Sequence, residues 1–110
     1  ADHPFVSSAL SGLGRALLEQ GRIRDAEQTL RQAAQIAAKS LPADSPQLAA
    51  ANASLGRALL AQSRIDEAAP LLRQSYPILA KTQGEDAVIT QQTKEALAAL
   101  AASDNLDVSK

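Results

Sequence analysis

Cysteine, methionine and tryptophan are absent from this 110-residue chain, and its aromatic residues amount to one Tyr and one Phe. Without cysteine there are no disulfides, thiolate metal sites or thiol nucleophiles, so zinc-finger readings and cysteine catalysis are excluded. Charge of one sign is missing too: 11 Lys and Arg stand against 12 Asp and Glu, for a net -1. No large field exists to hold nucleic acid or an anionic lipid surface, and neither is expected as a partner. No apolar run approaches the roughly 20 residues of a membrane span, and no charged start followed by a short apolar stretch resembles a secretory leader. Walker-type loops, dinucleotide fingerprints and nucleophile elbows are also lacking; Gly12-Leu13-Gly14 lies inside a helical pattern, not after a strand. No cofactor is expected. The missing Met and an opening of Ala1-Asp2-His3-Pro4, itself the tail of a repeat, read as an excised fragment, with the cytoplasm as the default compartment.

What is present is a surplus of small and aliphatic residues. Apolar residues make up 45% of the chain, with 24 Ala and 16 Leu, a composition that favours helices packed at close range. Slid along itself by 42 positions, the sequence matches: residues 1–42 and 43–84 share 20 identities. The densest stretch runs from Leu13-Gly14-Arg15-Ala16-Leu17-Leu18 to Ile23 against Leu55-Gly56-Arg57-Ala58-Leu59-Leu60 to Ile65. Within each copy the apolar residues recur at helical intervals, as in Val6, Ala9, Leu10, Leu13 and Leu17, then Ile23, Ala26, Leu30, Ala33 and Ala37.

Two helices per copy follow, joined by short polar breaks at Gln20-Gly21-Arg22 and Gln62-Ser63-Arg64. The longer break at 41–46 offers Asp44 or Ser45 as a cap and Pro46 in the first turn, a start signal repeated by Asp2-His3-Pro4. The expected helices cover 4–20, 24–40, 46–62, 66–82 and 87–102, with a polar tail over 103–110. In domain terms these are repeats 1–42 and 43–84 and a capping helix at 85–102. Gly14 and Gly56 fall inside helices, where glycine is costly, and with Ala26 and Ala68 they mark the contacts within each pair. Pro70 is expected in a first turn, and Pro77 inside a helix, where it kinks the chain.

Leu13-Gly14, Leu17, Ala26, Leu30 and Ala33 resemble the small-and-large signature of tetratricopeptide repeats, and Leu55-Gly56, Leu59, Ala68 and Leu72 match it again, with Ser75 in place of the last Ala. The 42-residue period and the Asp-x-Pro connection resemble the longer kinesin-light-chain type, common in bacterial multidomain proteins. The resemblance covers Asp2 to about Ala102. It implies an all-α fold, a right-handed superhelical solenoid of antiparallel helix pairs, and a non-catalytic module for protein interaction. Two family devices have no match here. Gly12 and Ser54 stand where an Asn often contacts a bound chain, and no Lys and Asn clamp for a terminal carboxylate is present.

The resemblance places the first helix of each pair along a concave groove. Its exposed positions carry over to Ser8, Ser11, Arg15, Leu18 and Glu19, then Ala53, Ser54, Arg57 and Leu60, then Gln92 and Glu95. Arg15 and Arg57, one repeat apart and beside Leu18 and Leu60, suit an acidic and apolar peptide; the alternative is that both are solvated surface charges. His3, the only histidine, lacks a nucleophile or companion ligands and reads as a connection residue. Asp25, Glu27, Asp66 and Glu67 sit near second-helix starts, where they complement the helix dipole. Tyr76 reads as core, with a partner anchor as its alternative. A solenoid packs each helix on the preceding repeat, so where that repeat is cut away Phe5, Val6 and Leu10 form an artificial sticky end, and self-association through it is an artefact of truncation as readily as biology.

The reading that results is a protein-interaction module at the end of a longer array. Its rivals are a structural or oligomerisation module and a regulatory arm of a multidomain enzyme such as a bacterial serine/threonine kinase. High Ala and a preference for Arg over Lys are the compositional hint of a bacterial source.

Overall fold

A computed structural model describes residues 4–108, and the side chains of 5–103. Five α-helices form the fold: α1 (Pro4–Glu19), α2 (Ile23–Ser40), α3 (Pro46–Ala61), α4 (Ile65–Gln83) and α5 (Val88–Val108). No strand occurs among the described residues. The helices stack as two pairs, α1 with α2 and α3 with α4, followed by α5, in a body measuring 49 × 29 × 22 Å. This is the expected all-α helical repeat.

Local chemistry sets the boundaries. Ser45 caps α3 by accepting from the Gln47 and Leu48 backbone N–H groups at 3.2 and 3.5 Å, and Pro46 follows it where no N–H is needed. The breaks inside the pairs close alike. In the first, Arg22 N donates to Leu17 O and Gly21 N to Leu18 O; in the second, Arg64 N donates to Leu59 O and Ser63 N to Leu60 O. This closure requires a left-handed residue, supplied by Gly21 at φ 80° and by Ser63 at φ 62°.

Helix α3 is the centre of the molecule and packs against all four other helices. Leu17, Leu30, Leu59, Leu72 and Leu100 meet in the main core with small residues between them, and Ala49, Ala53 and Leu79 form a second cluster. The close contacts within the pairs are where the glycines predicted them. Leu30 lies over Gly14 and Leu72 over Gly56, in space that a Cβ on either glycine would occupy.

Several expectations need correction. Pro70 is the sixth residue of α4, past its first turn, because α4 begins at Ile65. Both Pro70 and Pro77 face solvent while Ala68, Ala69, Leu72, Ser75 and Leu79 are buried on the other side, and the helix runs unbroken through both. Residues 103–108 continue α5 instead of forming a tail, since no Gly or Pro stops the helix there. Tyr76 is half-buried rather than core, and its hydroxyl donates to Glu85 Oε2 at 2.7 Å, which ties α4 to the turn before α5. Finally, Ala9 and Leu13 are exposed although their repeat counterparts Ala51 and Leu55 are buried, because α3 has a helix pair in front of it and α1 does not.

Candidate functional site

The first helices of the pairs carry most of the predicted groove residues, and α5 adds the rest. A hollow of about 360 Å³ is bounded by Leu18 of α1, Ile23 of α2, Arg57, Leu60 and Ala61 of α3, and Gln92, Glu95 and Ala96 of α5. A second, of about 280 Å³, is bounded by Ser8, Ser11 and Arg15 of α1, Pro46, Gln47 and Ala50 of α3, Leu79 and Gln83 of α4, and Ile89 of α5. Of the predicted set, Leu18, Arg57, Leu60, Gln92 and Glu95 meet at the first hollow, and Ser8, Ser11 and Arg15 at the second. Glu19 is exposed at the end of α1 and lines neither.

Ala53 and Ser54 do not belong to an open surface. They are 0% and 1% exposed, because α3 is the central helix and its neighbours cover most of its circumference. The Ser54 hydroxyl has no hydrogen-bond partner. Ser11, the counterpart of Ala53 in α1, is buried too at 7%, so of these positions only that of Ser54 changes between the copies, its counterpart Gly12 being exposed.

Arg57 is half-buried and donates from Nη1 to Gln92 Oε1 at 3.2 Å. Burial, and next the charge of Arg15, hold its guanidinium below the ordinary pKa, while Glu19 and Glu95 act in the opposite sense. Among the described residues neither Arg15 nor Arg57 forms an ion pair, whereas Arg22, Arg31 and Arg64 all do. A partly desolvated guanidinium with most of its five donors uncommitted, close to a second positive charge, is suited to accept a carboxylate. Leu18, Ile23, Leu60 and Ala96 supply apolar walls beside it.

Sequence reasoning missed the charged cluster that joins the two pairs. Glu27 accepts from Gln62 Nε2 at 2.8 Å, from Arg64 Nη1 at 2.9 Å and from Arg31 Nε at 2.9 Å. Arg64 also pairs with Glu67 at 2.7 Å. Only Asp25, Asp66 and Glu67 occupy first turns of second helices, as the dipole argument expects; Glu27 reaches across to the next pair instead. Its signal was an asymmetry: the second copy has Ala69 where the first has Glu27. The hydrogen bond from Gln62, together with those from Arg31 and Arg64, lowers the Glu27 pKa against the opposing effect of burial.

His3 lies outside the described residues. Among those described, no group of three or more His, Cys, Asp and Glu is placed to hold a metal ion, and no helix is long and apolar enough to cross a membrane.

No curated protein matches the chain. Among solved structures, TPR-like repeats of a Podosopora anserina protein described as a kinesin light chain superpose with a TM-score of 0.73 at 27% identity, over 96% of this chain and 50% of that one. A single-substitution variant of those repeats gives a TM-score of 0.71 at 28% identity, over 94% and 49%. The chain thus spans about half the length of the structures it resembles. The family model of the tetratricopeptide repeat matches residues 5–81, which contain both helix pairs up to the last turn of α4. With the paired glycine and leucine contacts, the repeated turns and these matches in agreement, the chain belongs to the tetratricopeptide repeat family.

Proposed function

We propose that this chain is a non-catalytic module that binds a peptide or protein segment along the hollows between α1, α3 and α5, and that its ligand joins an acidic residue to an apolar one. Tetratricopeptide repeats generally mediate protein interaction, which supports the class of function. The observation that carries the finer reading is Arg57: half-buried, without an ion pair, beside Arg15 and walled by Leu18 and Leu60. A ligand carboxylate would use its uncommitted donors and relieve the repulsion between the two arginines, while an adjacent apolar side chain would sit against the leucines. Glu19 and Glu95 at the margin disfavour a run of acidic residues, so one or two carboxylates are the better fit.

The test is selection from a displayed random-peptide library, then titration of the recovered peptides by fluorescence anisotropy. Recovered sequences are expected to pair Asp or Glu with Leu, Ile or Phe. The Arg15→Glu, Arg57→Glu double variant should bind them about ten- to a hundredfold more weakly with unchanged circular dichroism. Peptides without carboxylates, or affinities unaffected by the charge reversal, would remove the arginines from the site.

A second reading, in which copies of the chain join through the outer face of α1, is supported by the exposure of Phe5 at 70% and Leu13 at 52%.

A further inference from the structure

Arg15 and Arg57 hold the same place in the repeat, 42 positions apart, but not the same setting. Arg57 reaches 35 residues ahead to α5, where its Nη1 donates to Gln92 Oε1 at 3.2 Å. The position 35 residues ahead of Arg15 is Ala50, which has no side-chain oxygen to accept. Each of these residues lines its arginine's own hollow, Gln92 with Arg57 in the first and Ala50 with Arg15 in the second. In the third copy Ala99 stands where a further arginine would fall. One arginine of the two is therefore held across helices, and the other acts on it through charge.

The partner that holds Arg57 is neutral, although an acid stands close by. Glu95, three residues beyond Gln92, lines the same hollow, yet among the described residues it pairs with neither arginine. An amide fixes a guanidinium without neutralising it, since it takes one N–H and leaves the other donors and the whole positive charge. Fixing a flexible side chain before the ligand arrives lowers the ordering cost of binding.

We propose that Arg57 alone grips the ligand carboxylate, that Gln92 is the positioning residue that holds its guanidinium ready, and that Arg15 contributes only charge at longer range. The proposal rests on the groove-binding reading above and names the residues in that groove that select the ligand. Gln92 is decisive because it is an amide. A carboxylate in its place would pair with Arg57 from within the fold and stand in for the ligand's own acidic group.

The experiment is an NMR chemical-shift titration of the whole chain with two capped pentapeptides, Ala-Leu-Glu-Leu-Ala and its Gln counterpart, with circular dichroism on each variant. The wild type is expected to bind the Glu peptide about tenfold more tightly. Arg57→Gln should abolish that preference, and Gln92→Glu should abolish it too, with Arg57 still present. Arg15→Gln should reduce it by only about two- to threefold, and that part should vanish at about 0.5 M salt, where long-range charge is screened. Gln92→Met, of similar length but without the amide, serves if Gln92→Glu loses helix: the preference should fall about threefold and the Arg57 Nε–Hε signal should move to where solvated arginines resonate. Equal losses in Arg15→Gln and Arg57→Gln, an undiminished preference in Gln92→Glu, or an unmoved Arg57 signal in Gln92→Met overturns the proposal and leaves the groove-binding reading in place. A wild type that does not prefer the Glu peptide overturns both.

Discussion

Leu72 occupies the space that Gly56 leaves by having no side chain: a Cβ on Gly56 would stand 2.8 Å from Leu72 Cγ and 3.4 Å from the Ala68 carbonyl oxygen. Leu72 is fully buried, so it cannot swing aside, and a backbone carbonyl cannot yield. Alanine normally favours a helix over glycine by about 1 kcal/mol, but overpacking costs about 1–3 kcal/mol and should prevail here. Gly56→Ala is expected to lower stability by up to about 2 kcal/mol in urea denaturation. Gly12→Ala, where the added methyl meets nothing, should gain up to about 1 kcal/mol. Equal effects at the two positions would mean that α4 does not close onto α3 as described.

Ser63 holds the left-handed turn that Gly21 holds in the first copy, at φ 62° against 80°. A residue with a Cβ is strained there, and its side chain is exposed, so the hydroxyl has no packing to lose. Ser63→Gly should raise the stability of the second pair by about 0.5–1 kcal/mol, seen as a higher melting temperature. Gly21→Ser should lower it by a similar amount. A neutral result for both would show that the turns relax without cost.

Features that occur twice were legible in the sequence. The glycine and leucine contacts, the polar turns and the four helices of the two pairs all follow from residues that recur 42 positions apart. What a repeat cannot state is the position of each copy in the stack. Leu13 and Leu55 are the same residue in the same register, yet one is 52% exposed and the other 5%, because a preceding helix pair covers only the second. Ser54 was misplaced for that reason, whereas Ala53 is buried in both copies, as its counterpart Ser11 shows. The Glu27 cluster was hidden in the opposite way, since the residue that joins the copies is one that they do not share. Helix boundaries were nearly right except at Ser103, where polarity suggested a tail but nothing in the sequence ends a helix.

Ser54 is a buried hydroxyl without a partner, unlike Ser7, which donates to the Ala33 carbonyl at 2.8 Å across α1 and α2. An unsatisfied buried hydroxyl costs about 1–3 kcal/mol, and its removal leaves only a cavity the size of one oxygen atom. Ser54→Ala should therefore stabilise the fold by about 1 kcal/mol, helped by the better helix propensity of alanine. A loss on this substitution would reveal a bond to a buried water, and peptide affinity should not change in either case because Ser54 is closed to solvent.

The junction between the two pairs should make stability depend on acid. Glu27 is 15% exposed, and Gln62, Arg31 and Arg64 hold its carboxylate below the ordinary pKa. A carboxyl with a lowered folded-state pKa contributes stability above its unfolded value, and that contribution is lost as the pH falls through the folded value. Glu27→Gln removes the charge that Arg31 and Arg64 share; at neutral pH it should cost about 1 kcal/mol, discounted because both arginines are partly solvated. As the pH falls through that lowered folded-state value the variant and the wild type should converge, which is the signature that separates lost charge from lost packing. The Arg22 and Asp25 pair supplies the control: at 60% and 52% exposure it is screened by solvent, and Asp25→Asn should change stability by less than about 0.5 kcal/mol at neutral pH. If Asp25→Asn proved as costly as Glu27→Gln, the link between the repeats would owe nothing special to Glu27, and packing of α2 on α3 alone would have to hold the pairs together.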